Sequence, residues 1–88
     1  MKKQDFQVIA DRGLQARPAI EFIKEAEKYD SEIQLIYTDK AVNAKSVMGV
    51  MSLGVPKNAT ITLTTSGEDE NEALEGMTDA LKREALIE

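Results

Sequence analysis

Thr60-Ile61-Thr62-Leu63-Thr64 alternates polar and apolar residues without a break. A strand with this period of two has one face that must be buried and one that tolerates water. Two stretches of helical period carry stripes that can cover such a face. At 100° per residue, Ala16, Ala19, Phe22, Ile23, Ala26 and Tyr29 fall on one side of a helix running from Ala16 to about Tyr29. Ala73, Leu74, Met77, Leu81 and Ala85 form the matching stripe of a final helix. A sheet with all its helices on one face, an open-faced α/β sandwich, buries these stripes with the fewest layers.

The remaining elements complete that plan. Phe6-Gln7-Val8-Ile9-Ala10 alternates as a first strand, and Asp11-Arg12-Gly13 breaks it. Pro18 suits the first turn of the following helix, where its missing N–H costs nothing. Ile33, Leu35 and Tyr37 alternate as a second strand. Thr38-Asp39-Lys40 then turns into a short third strand around Ala41-Val42-Asn43. Ser46 to Leu53 reads as a short helix ended by Gly54, and Pro56-Lys57-Asn58 leads into the alternating strand. Asp69 is placed to cap the last helix, with Glu72 completing a capping box. The order is β-α-β-β-α-β-α.

Composition narrows the function. At 88 residues the chain is expected to be one domain, residues 1–88, burying roughly 60% of its unfolded surface. That leaves room for one thin core and no internal substrate chamber. Cysteine and histidine are both absent, which removes the usual catalytic triads, thiolate nucleophiles and zinc sites. The acidic run Glu68-Asp69-Glu70-Asn71-Glu72 lacks the spacing of a calcium loop and reads as a helix start. The expectation is therefore no enzyme, no metal and no cofactor. The net charge is −5 with only two Phe and two Tyr, which argues against a nucleic-acid surface. No apolar run reaches membrane-spanning length, and the acidic turn at Asp5 does not suit a signal peptide. A cytoplasmic location fits.

Three features call for more than a core. Arg17, Lys24 and Lys28 fall within about 40° of one another on the solvent side of the first helix, with Ile20 beside them. Such a stripe is ordinarily a solvated face. Arg17 nevertheless stands in the first turn, where the helix dipole disfavours a cation and an anionic partner would relieve it. In the short helix, Val50 and Leu53 project to one side while Val47, Met48 and Met51 fan across another. That second face is either covered by loops or an adhesive patch. Ser46 stands where an N-cap belongs.

Residues 11–19, Asp-Arg-Gly-Leu-Gln-Ala-Arg-Pro-Ala, resemble the active-site loop of the HPr family, the small phosphocarriers of the sugar phosphotransferase system. Their pattern there is Gly-aliphatic-His-Ala-Arg-Pro-Ala, and the imidazole carries the phosphoryl group. Gln15 occupies the histidine position. A carboxamide nitrogen, its lone pair delocalised into the carbonyl, is not basic enough to accept phosphate. A histidine-free chain of this kind is similar to the Crh type, the regulatory paralogue of some Gram-positive bacteria. Lys45-Ser46-Val47-Met48-Gly49 likewise resembles the family's regulatory site.

The resemblance covers nearly the whole chain and implies a four-stranded antiparallel sheet with three helices on one face. It implies phosphorylation of Ser46 by the ATP-dependent HPr kinase/phosphorylase. The phosphorylated protein would then bind a catabolite control protein, a repressor of the LacI class, as corepressor. Arg17, Ile20, Lys24, Lys28, Lys45, Val47, Met48 and Met51 are the implied partner-binding residues. Ile20 is bulkier than the residue usual in relatives. Exchange of the first strand between protomers is a route to a homodimer. The alternative is a true phosphocarrier in which Gln15 has been engineered in place of histidine.

Overall fold

In the computed structural model, the alternating segment forms the middle of a sheet, hydrogen-bonded on both sides. The structure describes residues 1–14 and 16–88, with Ala16 described for its backbone only. The elements are β1 (Lys2–Gln7), α1 (Ala16–Ala26), β2 (Glu32–Tyr37), β3 (Lys40–Asn43), α2 (Val47–Ser52), β4 (Thr60–Ser66) and α3 (Glu70–Arg83). The four strands lie in the order β1-β4-β2-β3, every pair antiparallel. Leu63 pairs with Leu35 of β2 and Gln4 of β1, and Ile61 with Tyr37 and Phe6. The inward residues Ile33, Leu35, Ile61 and Leu63 are buried in one cluster with Phe22 of α1, Val50 of α2, and Met77 and Leu81 of α3. All three helices thus serve a single face, the architecture expected from the stripes. The opposite face carries Asp5, Thr60, Thr62 and Gln34, and the Thr62 hydroxyl donates to Asp5 at 2.6 Å.

Four details differ from the sequence reading. The first strand begins at Lys2 instead of Phe6, because Lys2 to Gln7 pair with Thr65 to Thr60. Main-chain pairing on an edge strand needs no apolar alternation there. Val8 is still buried, held by hydrogen bonds between its backbone and those of Asn58 and Ala59.

The first helix ends at Ala26, not Tyr29. Lys28 and Tyr29 donate their N–H groups to the Glu25 and Ala26 carbonyls, tightening the last turn. Tyr29 lies against Gly76 of α3: a Cβ added there would sit 1.7 Å from the Tyr29 hydroxyl oxygen. A larger residue at position 76 would displace the Tyr29 ring and its bond to Glu25.

Asp69 does stand at the N-cap of α3, but its carboxylate makes no cap hydrogen bond. It accepts instead from the backbone N–H groups of Asp30 and Ser31, both at 2.9 Å, and from the Ser31 hydroxyl. These donors, the Ser31 hydroxyl foremost, hold the Asp69 carboxyl below its usual range. The predicted box with Glu72 is absent among the described contacts; Glu70 fills the local role, its Oε1 accepting from Gly67 N–H at 3.2 Å.

Ala85 is no core residue. It is exposed, in the left-handed region at φ 57. The bonds Ala85 N–H to Lys82 C=O and Leu86 N–H to Leu81 C=O form a Schellman motif around it. Leu86 and Ile87 are the buried residues at that end. Glycine adopts this conformation at lower cost than an L-residue. Ala85→Gly is therefore expected to stabilise the fold by roughly 0.5–1 kcal/mol, read as a higher denaturant midpoint with an unchanged m-value. A lower midpoint would contradict the motif.

Candidate functional site

The outer face of α1 begins with no acidic residue in its first turn, only Arg17. Arg17 is exposed and has no carboxylate within ion-pair distance among the described residues. The other two cations of the predicted stripe are already engaged. Lys24 lies 3.4 Å from Glu21, and Lys28 lies 3.1 Å from Glu25. Lys28 is also past the helix end, so it no longer follows the helical stripe. Ile20 is 45% exposed between these groups. Gln15 lies outside the described residues.

Glu25 was not singled out from the sequence, yet it organises this region. It is 7% exposed and accepts from Tyr29 Oη at 2.8 Å, Lys28 Nζ at 3.1 Å and Arg83 of α3 at 3.4 Å. Burial alone would raise its pKa. The Tyr29, Lys28 and Arg83 donors outweigh burial and hold the carboxyl below its ordinary value. Tyr29, desolvated and hydrogen-bonded to that carboxylate, is pushed up to about 12. The clue was readable: Glu25 stands three and four residues before Lys28 and Tyr29, at the margin of the apolar stripe.

Ser46 is the N-cap of α2. Its backbone is extended (φ −104, ψ 117) and its Oγ accepts from Gly49 N–H at 3.1 Å. Gly49 leaves the room this requires, since a Cβ there would come within 3.3 Å of both Ser46 Oγ and Val42 Cβ. Beyond the cap, Val50 and Leu53 are buried while Val47 (51%), Met48 (82%) and Met51 (41%) are exposed. This face is uncovered, the second of the two readings the sequence allowed. Helices α1 and α2 are packed neighbours, so Ile20 and the α2 residues belong to adjacent elements. Met51 also lines an open groove of about 650 Å³ with Leu14, Val55, Arg12 and Lys57, a margin the sequence reading missed. Lys57 is ion-paired there with Asp11 at 2.9 Å.

Lys45 is turned away from this surface. It is half-buried, and its ammonium donates to the Tyr29 carbonyl at 2.6 Å. Among the described residues, no group of three or more candidate ligands could hold a metal ion, and no helix is long and apolar enough to cross a membrane.

The arrangement defines a class first: a small antiparallel open-faced sandwich whose exposed chemistry sits on two neighbouring helices. A family model described as the PTS HPr component phosphorylation site matches residues 2–83, and the chain belongs to the HPr family, whose members are phosphocarrier proteins rather than enzymes. It is similar to the histidine-containing phosphocarrier protein of Mycoplasma, with a TM-score of 0.97 at 33% identity over 99% of both chains. The phosphocarrier protein HPr of Bacillus anthracis is 43% identical over 90% of this chain and 94% of its own, with a TM-score of 0.84. Crh of Bacillus subtilis, a catabolite repression protein described as a swapped, intertwined dimer, is 45% identical over 96% and 97%, with a TM-score of 0.74.

The Glu25 cluster has a pH consequence. A carboxyl whose folded pKa lies below the unfolded value of 4.5 contributes stability above that value and loses it as pH falls through the folded pKa. Glu25→Gln is expected to lower stability at pH 7 by about 1–2 kcal/mol, with the gap to the parent chain narrowing below pH 4.5. Urea midpoints between pH 3 and 7 check this; a gap independent of pH would contradict it.

Proposed function

We propose that the chain is a regulatory HPr-like protein of the Crh type, acting in carbon catabolite repression. One observation carries the reading. Ser46 presents a hydroxyl at the border of an exposed Val47-Met48-Met51 patch, in a chain with no histidine to act as phosphocarrier. The phosphoryl donor is ATP and the catalyst is HPr kinase/phosphorylase. The Ser46 Oγ forms a bond to the γ-phosphorus, the bond from that phosphorus to the β,γ-bridging oxygen breaks, ADP leaves, and the hydroxyl proton passes to the kinase. The product carries about −1.5 to −2 charges and three acceptor oxygens beside an apolar patch. Partner choice changes with little change of fold.

The partner in this reading is a catabolite control protein of the LacI class, bound in the cytoplasm by the phosphorylated form as corepressor. Met48, Met51, Val47 and Ile20 fill an apolar recess, and the phosphoserine meets a basic group. Arg17 is ready to receive an acidic group. Lys24 must exchange Glu21 for a partner carboxylate, and Lys28 must do so against a buried Glu25. The salt-sensitive contribution should therefore fall in the order Arg17, Lys24, Lys28. A homodimer is part of the proposal: β1 lies at the sheet edge here, and the similar Crh structure is a swapped dimer. We also propose that residues 1–88 form one domain.

The phosphocarrier relatives favour a second reading, in which Gln15 is an engineered replacement in a true carrier. Two incubations test the switch at Ser46 against phosphate transfer through the Gln15 loop. ATP with HPr kinase/phosphorylase should give one acid-stable phosphate, abolished by Ser46→Ala. Phosphoenolpyruvate with the first enzyme of the phosphotransferase relay should give none. Undiminished acid-stable labelling of Ser46→Ala would remove the switch from this position. Met51→Glu should weaken repressor binding by about tenfold or more while leaving the melting temperature within a few degrees. A large fall in melting temperature would show instead that Met51 supports the fold.

A further inference from the structure

Lys45 belongs by sequence to the regulatory segment, yet its charge is directed into the fold. The segment before α2 is fixed along its backbone: Ala44 N–H donates to Ile33 C=O at 2.9 Å, Lys45 N–H to Asn43 Oδ1 at 2.9 Å, and Ser46 N–H to Asn43 C=O at 3.0 Å. Ala44 is fully buried. These bonds hold the segment to the end of the β2–β3 hairpin, and none of them reaches α1. The ammonium of Lys45 supplies that link, donating to the Tyr29 carbonyl at 2.6 Å.

The placement suits both ends. Tyr29 follows the last turn of α1, where backbone carbonyls lack helical partners and a cation is favoured. A charge-assisted bond is among the stronger single ties available to a half-buried lysine. Lys45 stands in the turn closed by the Ser46 N–H to Asn43 C=O bond, directly before the extended Ser46. Fastening Lys45 to α1 restrains the turn that leads into Ser46, whose hydroxyl oxygen accepts from Gly49 N–H at the border of the methionine patch.

We infer that Lys45 is a positioning residue for the Ser46 hydroxyl, acting through the Tyr29 carbonyl instead of touching kinase or repressor. This rests on the reading of Ser46 as the phosphorylated residue. It adds that the lysine contributes to phosphate transfer by orienting the acceptor oxygen. It also makes the end of α1 part of the modification site, although that turn is sixteen residues away in the chain.

The experiment compares the full chain with Lys45→Met, which keeps the apolar stem, and Lys45→Arg, which keeps a donor. In unmodified protein, exchange of the Gly49 amide hydrogen should be roughly fivefold to tenfold faster in Lys45→Met, with the Met77 amide of α3 unchanged as internal reference. Lys45→Arg should restore most of the protection. With HPr kinase/phosphorylase and ATP, Lys45→Met should lower kcat for Ser46 by about tenfold at an unchanged KM, again with recovery in Lys45→Arg. Gly49 exchange equal to that of the parent chain overturns the inference. So does a raised KM with kcat intact, which would make Lys45 a direct kinase contact. A parent chain that takes up no phosphate on Ser46 would sink the proposed function, and the Gly49 exchange would still decide whether Lys45 orients the hydroxyl.

Discussion

Burial of one face of the four-stranded sheet is the constraint on which everything else rests. Ile61, Leu63, Ile33 and Leu35 cannot face water together, and the helices exist as stable elements largely because they cover these residues. Helices α1 and α2 then have no second layer above them. Whatever they carry outward stays at the surface. The exposed Met48 and Arg17 follow from that geometry.

Polar ties between distant segments set the finer alignment. Asp69 draws the start of α3 onto the Asp30-Ser31 turn. Glu25 joins α1 to Arg83 near the other end of α3. Lys45 joins the approach to α2 to the end of α1. Each charged group is satisfied by several donors or by a carbonyl at a helix end, which is how a thin domain can accommodate half-buried charges.

The parts legible in the sequence were those governed by local periodicity. The alternation of Thr60 to Thr64, the cap at Ser46 and the split of α2 into a Val50-Leu53 side and a Met48-Met51 side each depend on neighbours a few residues away. The illegible parts were decided by contacts from far along the chain. Nothing near Asp69 says that its carboxylate is taken by Ser31, and nothing near Lys45 points to Tyr29. The end of α1 was misplaced because Tyr29 continues the apolar stripe by arithmetic, while in space it packs across Gly76. Ala85 misled for a related reason: it keeps the helical spacing but stands in the turn that stops the helix. The local ion pairs Glu21–Lys24 and Glu25–Lys28 were readable, and they reduce the charge that the basic stripe offers to a partner.

The chain has no tryptophan and only two tyrosines, and one of these phenols lies against α3 with its hydroxyl donating to a buried carboxylate. The molecule thereby contains its own optical gauge. With Tyr37 replaced by phenylalanine, ultraviolet absorbance and emission from Tyr29 would register the seam between α1 and α3, so loosening there could be followed without any added dye or label.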